Sequence, residues 1–410
     1  MTFFEQLIER LKATQGDTHA QCAVAAEFLL LAQPEPEREQ LRAALDAAAV
    51  LRWFDASFLG KMLGIAEADA AKRFDALKAL PFVERYRRGE ADLRNVHEST
   101  RLGWRKELAR ANCARFRFLS KQAADCFADD ATPVGRIEWI YHLLCADPNR
   151  GADELERLDR QWTGAARPED RYALAGALSD LEQTRVVEGA ARVEVLLCVA
   201  QIRNSRGEES QLEGPALEAL ALARSVKRAT SEARANCLLG DVLQAQGKLA
   251  EAQAAFGECL AISRRLAAQD PSNAGWQRDL AGAHSKVGGV LRDQGKLAEA
   301  QAALGEALAI SRRLAAQDPS NAGWQRELAG TCAQVAQLEA KAGRHAAAFP
   351  LYEEASRIFG ELLRKAPGFA EWARDKAHVE VELALCRLAV NATKSPGSTT
   401  SGDAWAPEKP

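Results

Sequence analysis

Residues 246–282 read QGKLAEAQAAFGECLAISRRLAAQDPSNAGWQRDLAG, and residues 294–330 read QGKLAEAQAALGEALAISRRLAAQDPSNAGWQRELAG. The two segments start 48 residues apart. They differ only at Phe256/Leu304, Cys259/Ala307 and Asp279/Glu327. Self-similarity at a fixed period of this size predicts an array in which each unit buries its apolar face on its neighbours.

A third, less similar copy follows at the same spacing. Glycine, tryptophan and proline recur in register in all three copies: Gly247, Gly295 and Gly343; Trp276, Trp324 and Trp372; Pro271, Pro319 and Pro367. The repeated tryptophan is expected to be a core residue that packs against the long helices of each copy. The near-identity of the first two copies indicates a recent duplication, which favours an extended binding surface over a fixed catalytic pocket.

Each copy is predicted to form two antiparallel helices. Asp270-Pro271-Ser272 offers a capping oxygen and an early proline, so the first helix is predicted within residues 270–294. Gly295 ends that helix. The second helix is predicted over residues 297–317, because this segment is rich in strong helix formers with apolar residues at helical spacing.

The apolar and small residues of the copies resemble the pattern of the tetratricopeptide-repeat family. The positions that carry the resemblance are Leu239, Gly240, Leu243, Gly247, Ala252 and Phe256 in the first copy, Val287, Gly288, Leu291, Gly295, Ala300, Leu304 and Ala307 in the second, and Gly343, Ala348, Tyr352 and Ala355 in the third. The third copy has Ala336 and Glu339 where the family has glycine and an apolar residue. The family's unit has about 34 residues, so both helices of this longer unit must be longer.

The resemblance covers residues 168–390 and implies a superhelix that holds a protein or peptide partner in its groove. In the family the inner face of each first helix contacts the partner, and the matching residues here are Asp241, Gln244, Arg292, Asp293, Gln337 and Lys341. These six residues are the predicted partner-binding site.

The remaining segments are predicted to be helical, except for the tail. Further helix pairs are expected at residues 168–183, 190–206, 215–227 and 231–246, a helical segment at 1–36, connecting helices at 113–167, and a disordered tail at 391–410. The fold class is therefore all-α, with an antiparallel helix-hairpin superhelix behind a different N-terminal module.

That module spans residues 37–112. Helical patterns at 37–50, 55–63 and 67–80 precede two alternating segments around Arg88-Gly89-Glu90, a hairpin signature, and a helix follows at 99–110. Three helices, one short β-hairpin and a helix predict a winged-helix-like module.

Two hypotheses remain open for this module. A DNA-binding regulator would place the third helix in the major groove, but that helix carries three acidic and three basic residues, so nucleic acid is not the expected partner. The wing arginines are Arg85, Arg87, Arg88 and Arg94. In this alternative the repeats would bind an effector.

The second hypothesis comes from a resemblance at residues 95–101, Asn-Val-His-Glu-Ser-Thr-Arg, to the winged-helix region of STAND-type signalling ATPases. In that family a histidine followed by aspartate senses the nucleotide phosphate. Val96 and His97 match, whereas Glu98 replaces the aspartate. No Gly-x-x-x-x-Gly-Lys-Ser/Thr motif occurs in the 410 residues, so no nucleotide-binding domain is expected within them, and His97 is expected to be a helix-start or core residue.

Composition excludes several function classes. The net charge is −3 and no apolar stretch approaches the roughly 18 residues needed to span a membrane, so a cytoplasmic protein without a membrane role is expected. Nine scattered cysteines without a Cys-x-x-Cys pair are expected to be reduced thiols. No catalytic, cofactor or metal constellation is found. The predicted function is a non-enzymatic interaction scaffold, or a sensor or adaptor of STAND-like signalling type.

Overall fold

The computed structural model describes residues 3–86, 92–165, 167–208 and 211–394. These residues form helices and one two-stranded sheet. They divide into two compact units, the first comprising Met1–Thr163 and Arg167–Lys248 and the second comprising Gly164–Ala166 and Leu249–Pro410. The prediction of an almost wholly helical chain is confirmed.

The first unit contains thirteen of the described helices and the sheet. Its elements are α1 Phe3–Ala13, α2 Thr18–Leu31, α3 Glu37–Val50, α4 Ala56–Leu63, α5 Glu67–Lys78, β1 Val83–Arg85, β2 Arg94–Val96, α6 Glu98–Ala111, α7 Cys113–Cys126, α8 Pro133–Ala146, α9 Pro148–Gly164, α10 Pro168–Thr184, α11 Gly189–Ser205, α12 Glu213–Ser225 and α13 Ala229–Ala245.

Residues 37–112 contain three helices, a hairpin and a further helix in the predicted order. β1 and β2 pair antiparallel with Val83 opposite Val96. Phe54, in the turn between α3 and α4, forms an additional bridge to Arg94. Four of the seven buried residues of α3 are alanine, and such small side chains let the surrounding helices approach closely.

Helix α11 is enclosed by the rest of the first unit, with twelve of its 17 residues buried. Two of these are charged, and burial without partners would be costly. Glu194 accepts from Arg234 Nη1 at 2.6 Å, and Arg192 donates to the backbone oxygen of Glu182 at 2.6 Å and to Glu218 at 3.0 Å. Sequence periodicity located this helix but did not show that every face is covered.

The second unit contains the repeat helices. Its elements are α14 Leu249–Gln269, α15 Ala274–Asp293, α16 Leu297–Gln317, α17 Ala322–Lys341, α18 His345–Lys365 and α19 Ala370–Lys394. Each helix packs on the next in sequence, and α15, α17 and α19 also contact each other in order. The predicted helix hairpins are therefore confirmed, with helices of 20 and 21 residues.

The first helix of each hairpin starts later than the cap chemistry suggested. Asn273 and Asn321 are the N-cap residues, and each side chain accepts a hydrogen bond from the tryptophan amide three residues on. Asp270 instead accepts from the amide and hydroxyl of Ser272 and so closes the preceding turn. Gly295 has a φ of +78° at the turn into α16, a conformation that favours glycine.

Two close contacts fix the spacing of the repeat helices. A Cβ on Gly288 would lie 2.5 Å from Leu304 Cγ, so glycine is needed where α15 crosses α16. Trp324 packs with Ala281 and Leu314, as expected for a residue that fills the lengthened hairpin. In the third copy the buried Glu339 pairs with Arg344, which explains how a carboxylate replaces an apolar residue there.

Two expectations need qualification. Helix α19 continues to Lys394, four residues into the segment expected to be a disordered tail, and residues 395–410 lie outside the described residues. Seven cysteines are free, but Cys237 and Cys259 are disulfide-bonded, which corrects the expectation of thiols at these positions. No described helix is both long and apolar enough to cross a membrane.

Adjacent glycines in α15 offer a matched test of the close approach. Gly288→Ala is expected to lower the free energy of unfolding by about 1–3 kcal/mol, because Leu304 must move. Gly289→Ala, where an added Cβ meets nothing within 4 Å, is expected to raise it by about 0.5–1 kcal/mol through helix propensity. Urea denaturation followed by circular dichroism measures both. Equal effects of the two substitutions would contradict the close packing of Leu304 against Gly288.

Candidate functional site

Four of the six predicted partner-binding residues lie together on α15 and α17. Arg292 donates through Nη1 to Gln337 Oε1 and through Nη2 to Asp293 Oδ1 at 3.0 Å. Lys341 Nζ donates to the backbone oxygen of Arg292 at 3.2 Å. We call Arg292, Asp293, Gln337 and Lys341 the polar cluster.

The polar cluster is partly open to solvent. The Arg292 side chain is 18% exposed and that of Asp293 33% exposed, while Lys341 is exposed. Arg292 is thus held between two helices, and Lys341 presents a cation at the surface beside it. Such an arrangement can donate hydrogen bonds to carbonyl or carboxylate groups of a peptide chain.

The other two predicted residues lie on α13 in the first unit. Asp241 accepts from Asn204 Nδ2 at 3.1 Å, and both Asp241 and Gln244 are half-buried. Their role in partner binding stays a prediction.

Sequence reasoning missed a second row of polar contacts along α15, α17 and α19. Arg278 lies 3.9 Å from Glu327, and the equivalent pair one repeat later, Arg326 and Asp375, lies 3.4 Å apart. The signal was available, since arginine followed by an acidic residue recurs at the 48-residue spacing. These pairs join successive helices, and their partial exposure limits each to a small contribution.

In α19 the position that corresponds to Gln337 of the polar cluster carries an apolar residue. Leu385 occupies the position of Gln337, 48 residues later, and it is 56% exposed. The third helix in this row therefore presents an apolar side chain where α17 presents an amide.

The third helix of the N-terminal module, α5, has its charges neutralised locally. Lys72 lies 3.9 Å from Asp69, and Lys78 lies 3.1 Å from Asp75 and 3.0 Å from Asp92. The hydrogen bonds that Lys78 donates to Asp92 and to Asp75 raise the pKa of Lys78. Few unpaired cations therefore face outward from this helix.

The segment that the sequence predicts to be a basic wing is only partly described. The Arg94 guanidinium lies 2.7 Å from Asp92, and Arg85 is exposed at the end of β1. Arg87 and Arg88 lie outside the described residues.

His97 is at a helix start, as the sequence indicated, and it is not a core residue. It occupies the N-cap position of α6 without a side-chain cap bond. Its ring is 51% exposed and Nε2 lies 4.0 Å from Glu84 Oε1.

A buried polar network lies where α6, α8 and α10 pack in the first unit. Arg101 donates to Asp180 at 2.6 Å and to Tyr141 at 3.3 Å. Arg105 is fully buried with its guanidinium 4.7 Å from the Tyr141 ring centre. This network joins the N-terminal module to the helices that follow it.

His142 belongs to the same network and is fully buried. Its ring stacks on Phe127, and neither ring nitrogen has a hydrogen-bond partner. Burial, reinforced by the positive charge of Arg105, holds the pKa of His142 well below its usual range. Glu138 Oε2 lies 3.7 Å from His142 Nε2, and burial raises the pKa of Glu138.

Nothing in the described part of the chain forms a metal-binding group of three or more histidine, cysteine, aspartate or glutamate side chains. The polar cluster and the buried network are both built from charge pairs and hydrogen bonds between helices.

The tetratricopeptide-repeat family model matches residues 238–271 and 281–319. This match confirms the repeat interpretation for those residues and covers less than half of the chain. A comparison with curated proteins finds no match.

The solved structures to which this chain is similar include the following three. BtubC from P. vanneervenii is 16% identical, with 68% of this chain and 100% of that chain covered at a TM-score of 0.32. A Rap protein complexed with competence and sporulation factor is 14% identical, with 93% and 99% covered at 0.35. A signal transduction ATPase with numerous domains and a tetratricopeptide-repeat sensor, from Pyrococcus horikoshii, is 9% identical, with 95% and 71% covered at 0.31.

The buried histidine predicts a pH dependence of stability. The folded protein keeps His142 neutral, whereas in the unfolded chain this histidine becomes protonated near pH 6.5. The free energy of unfolding is therefore highest, as far as His142 is concerned, at neutral pH, and it falls as the pH drops through about 6.5. The expected loss at pH 5.5 is about 1 kcal/mol.

The measurement compares urea unfolding of the wild type and His142→Phe at pH 7.5 and 5.5. Glu138 acts in the opposite direction and is present in both proteins, so the difference between their slopes reports His142 together with its effect on Glu138. His142→Phe is expected to fold and to lose less stability on acidification. An unchanged slope would show that His142 carries none of the dependence.

Proposed function

We propose that this protein is a non-enzymatic scaffold that binds a protein or peptide partner on the face that carries the polar cluster. The single observation that supports this most is the joining of α15 and α17 by Arg292, Gln337 and Lys341, with a cation left at the surface. The helices beneath it are fixed by small residues, so the cluster is held in place before a partner arrives.

Preorganisation matters for affinity, because ordering side chains on binding costs free energy. Arg292 is already ordered by Gln337 and Asp293. Binding of a peptide that accepts hydrogen bonds from Arg292 and Lys341 therefore costs little free energy for ordering the side chains of the protein. We infer that the preferred partner carries acidic or backbone carbonyl groups at this point.

We also propose a sensor or adaptor role of STAND-like type for the whole chain, with residues 37–112 as a winged-helix-like module. The order α3, α4, α5, β1, β2 and α6 and the bridge between Phe54 and Arg94 support this module. The segment division 1–36, 37–112, 113–167, 168–390 and 391–410 and a cytoplasmic location belong to the same proposal.

In this role His97 would face a nucleotide held by another polypeptide, since the 410 residues contain no P-loop motif. Its exposure of 51% leaves it accessible to such a neighbour. The buried Arg101–Asp180 pair links α6 of the module to α10, so a movement of the module would also move the helices that follow it.

Partner binding is tested by panning a random peptide library on the full chain and measuring the enriched peptides by calorimetry. The triple variant Arg292→Ala/Gln337→Ala/Lys341→Ala is expected to weaken binding by about tenfold or more, because the donors of the cluster are removed. Arg312→Ala is the matched control, since Arg312 is a half-exposed arginine on α16 that pairs with Glu354.

Peptides that bind the triple variant as tightly as the wild type would place the binding face elsewhere. Failure to enrich any peptide, with the fold verified by circular dichroism, would contradict the scaffold proposal.

DNA binding by the N-terminal module is the alternative function, and the paired charges of α5 argue against it. The chain is expected to bind duplex DNA weakly even at low salt, with little change when Arg85 and Arg94 are reversed to glutamate. Fluorescence anisotropy across a salt series measures this. Tight binding that falls steeply with salt and is lost in the reversed variant would instead favour the regulator.

A further inference from the structure

Helix α19 carries an apolar stripe on the face directed away from α18. Val381, Leu385 and Leu388 are 59%, 56% and 67% exposed. Their spacing of four and three residues puts them on one side of the helix. Val379 and Cys386, on the opposite side, are 2% exposed and pack in the core of the second unit.

The face beside the stripe is covered in the preceding repeat. Ala329 and Ala336 of α17 are fully buried in the cluster formed with α18 and α19. Their equivalents 48 residues later, Ala377 and Ala384, are exposed on α19. Among the described residues, therefore, α19 has the packing face of a repeat helix without the helix that covers it.

The stripe is more apolar and larger than the residues at the same positions of the preceding repeat. Val381, Leu385 and Leu388 stand where α17 has Ala333, Gln337 and Ala340. Scattered apolar residues on a surface are ordinary, but contiguous ones at helical spacing indicate a contact surface. The substitutions add apolar area at the positions that would face a covering helix.

We propose that the stripe is covered by α19 of a second copy of this chain, packed antiparallel about a two-fold axis. Within the chain, α18 packs antiparallel on α17 over Ala329 and Ala336, the face that lies beside the stripe positions. A second α19 in the antiparallel direction therefore takes a place of the same kind. The two-fold sets Val381 of one copy opposite Leu388 of the other, with Leu385 near the axis, so the surface is self-complementary.

The charges beside the stripe are compatible with this pairing. Glu380 and Arg387 lie on the same flank of the stripe, seven residues apart. In an antiparallel pair the same flanks of the two helices meet. Glu380 of each copy therefore faces Arg387 of the other copy, which gives two such contacts. Glu380 also pairs with Lys376 along the helix, and Arg387 lies 5.6 Å from the Phe349 ring centre, so both charges stay near the surface.

Sedimentation velocity of the full chain over a concentration series tests the proposal. The wild type is expected to form a dimer, and Leu385→Glu/Leu388→Glu is expected to be a monomer with an unchanged circular dichroism spectrum. Leu217→Glu is the matched control, because Leu217 is a 48% exposed leucine on α12, and this variant should still dimerise.

A charge reversal tests the register. Arg387→Glu is expected to weaken the dimer by about fivefold, because two opposite-charge contacts become repulsive, and Glu380→Arg/Arg387→Glu is expected to recover most of that loss. No effect of either variant would contradict the antiparallel register.

Three outcomes would overturn the proposal. A wild-type monomer at every concentration excludes the second copy, and a dimer that persists in Leu385→Glu/Leu388→Glu places the interface elsewhere. If only a chain shortened after Lys394 dimerises, residues 395–410 are the occupant. Each of these results is independent of peptide binding at the polar cluster, so the two proposals fail separately.

Discussion

The close approach of α15 and α16 at Gly288 is the constraint on which the second unit depends. With no side chain at Gly288, Leu304 reaches within a distance that a Cβ would exclude. This contact sets how near the two helices of a hairpin lie, and hence how the next hairpin stacks on them. The third copy accommodates Ala336 at this position against Tyr352, so the spacing tolerates some variation.

That stacking brings side chains from different copies together. Arg292 meets Gln337, and Arg278 meets Glu327, only because successive first helices lie side by side. Residues that are 45 and 49 positions apart in sequence thus become neighbours, which is how a repeat array makes a continuous surface without a pocket. The same regularity exposes α19, because the face used by α17 has no described helix upon it.

The first unit is held together by buried charge pairs and not by a contact that recurs in each repeat. Its buried charges, including Arg101 with Asp180 and Glu194 with Arg234, tie particular helices together in one arrangement. Burial makes such pairs costly to break singly. Their positions are not periodic, so periodicity predicted helices α3 to α6 and α10 to α13 well but gave no indication of which charges would be inside.

The sequence by itself determined the helices, the turns and the repeat length, because capping residues, glycines and apolar spacing act over a few residues or recur at a fixed period. It also indicated which face of the first helices is polar. Only the tertiary structure decided that Arg292 is fixed by Gln337, that His142 is enclosed without a hydrogen-bond partner, and that the stripe on α19 is bare. These properties depend on which helix lies opposite, and that is set by packing between distant residues.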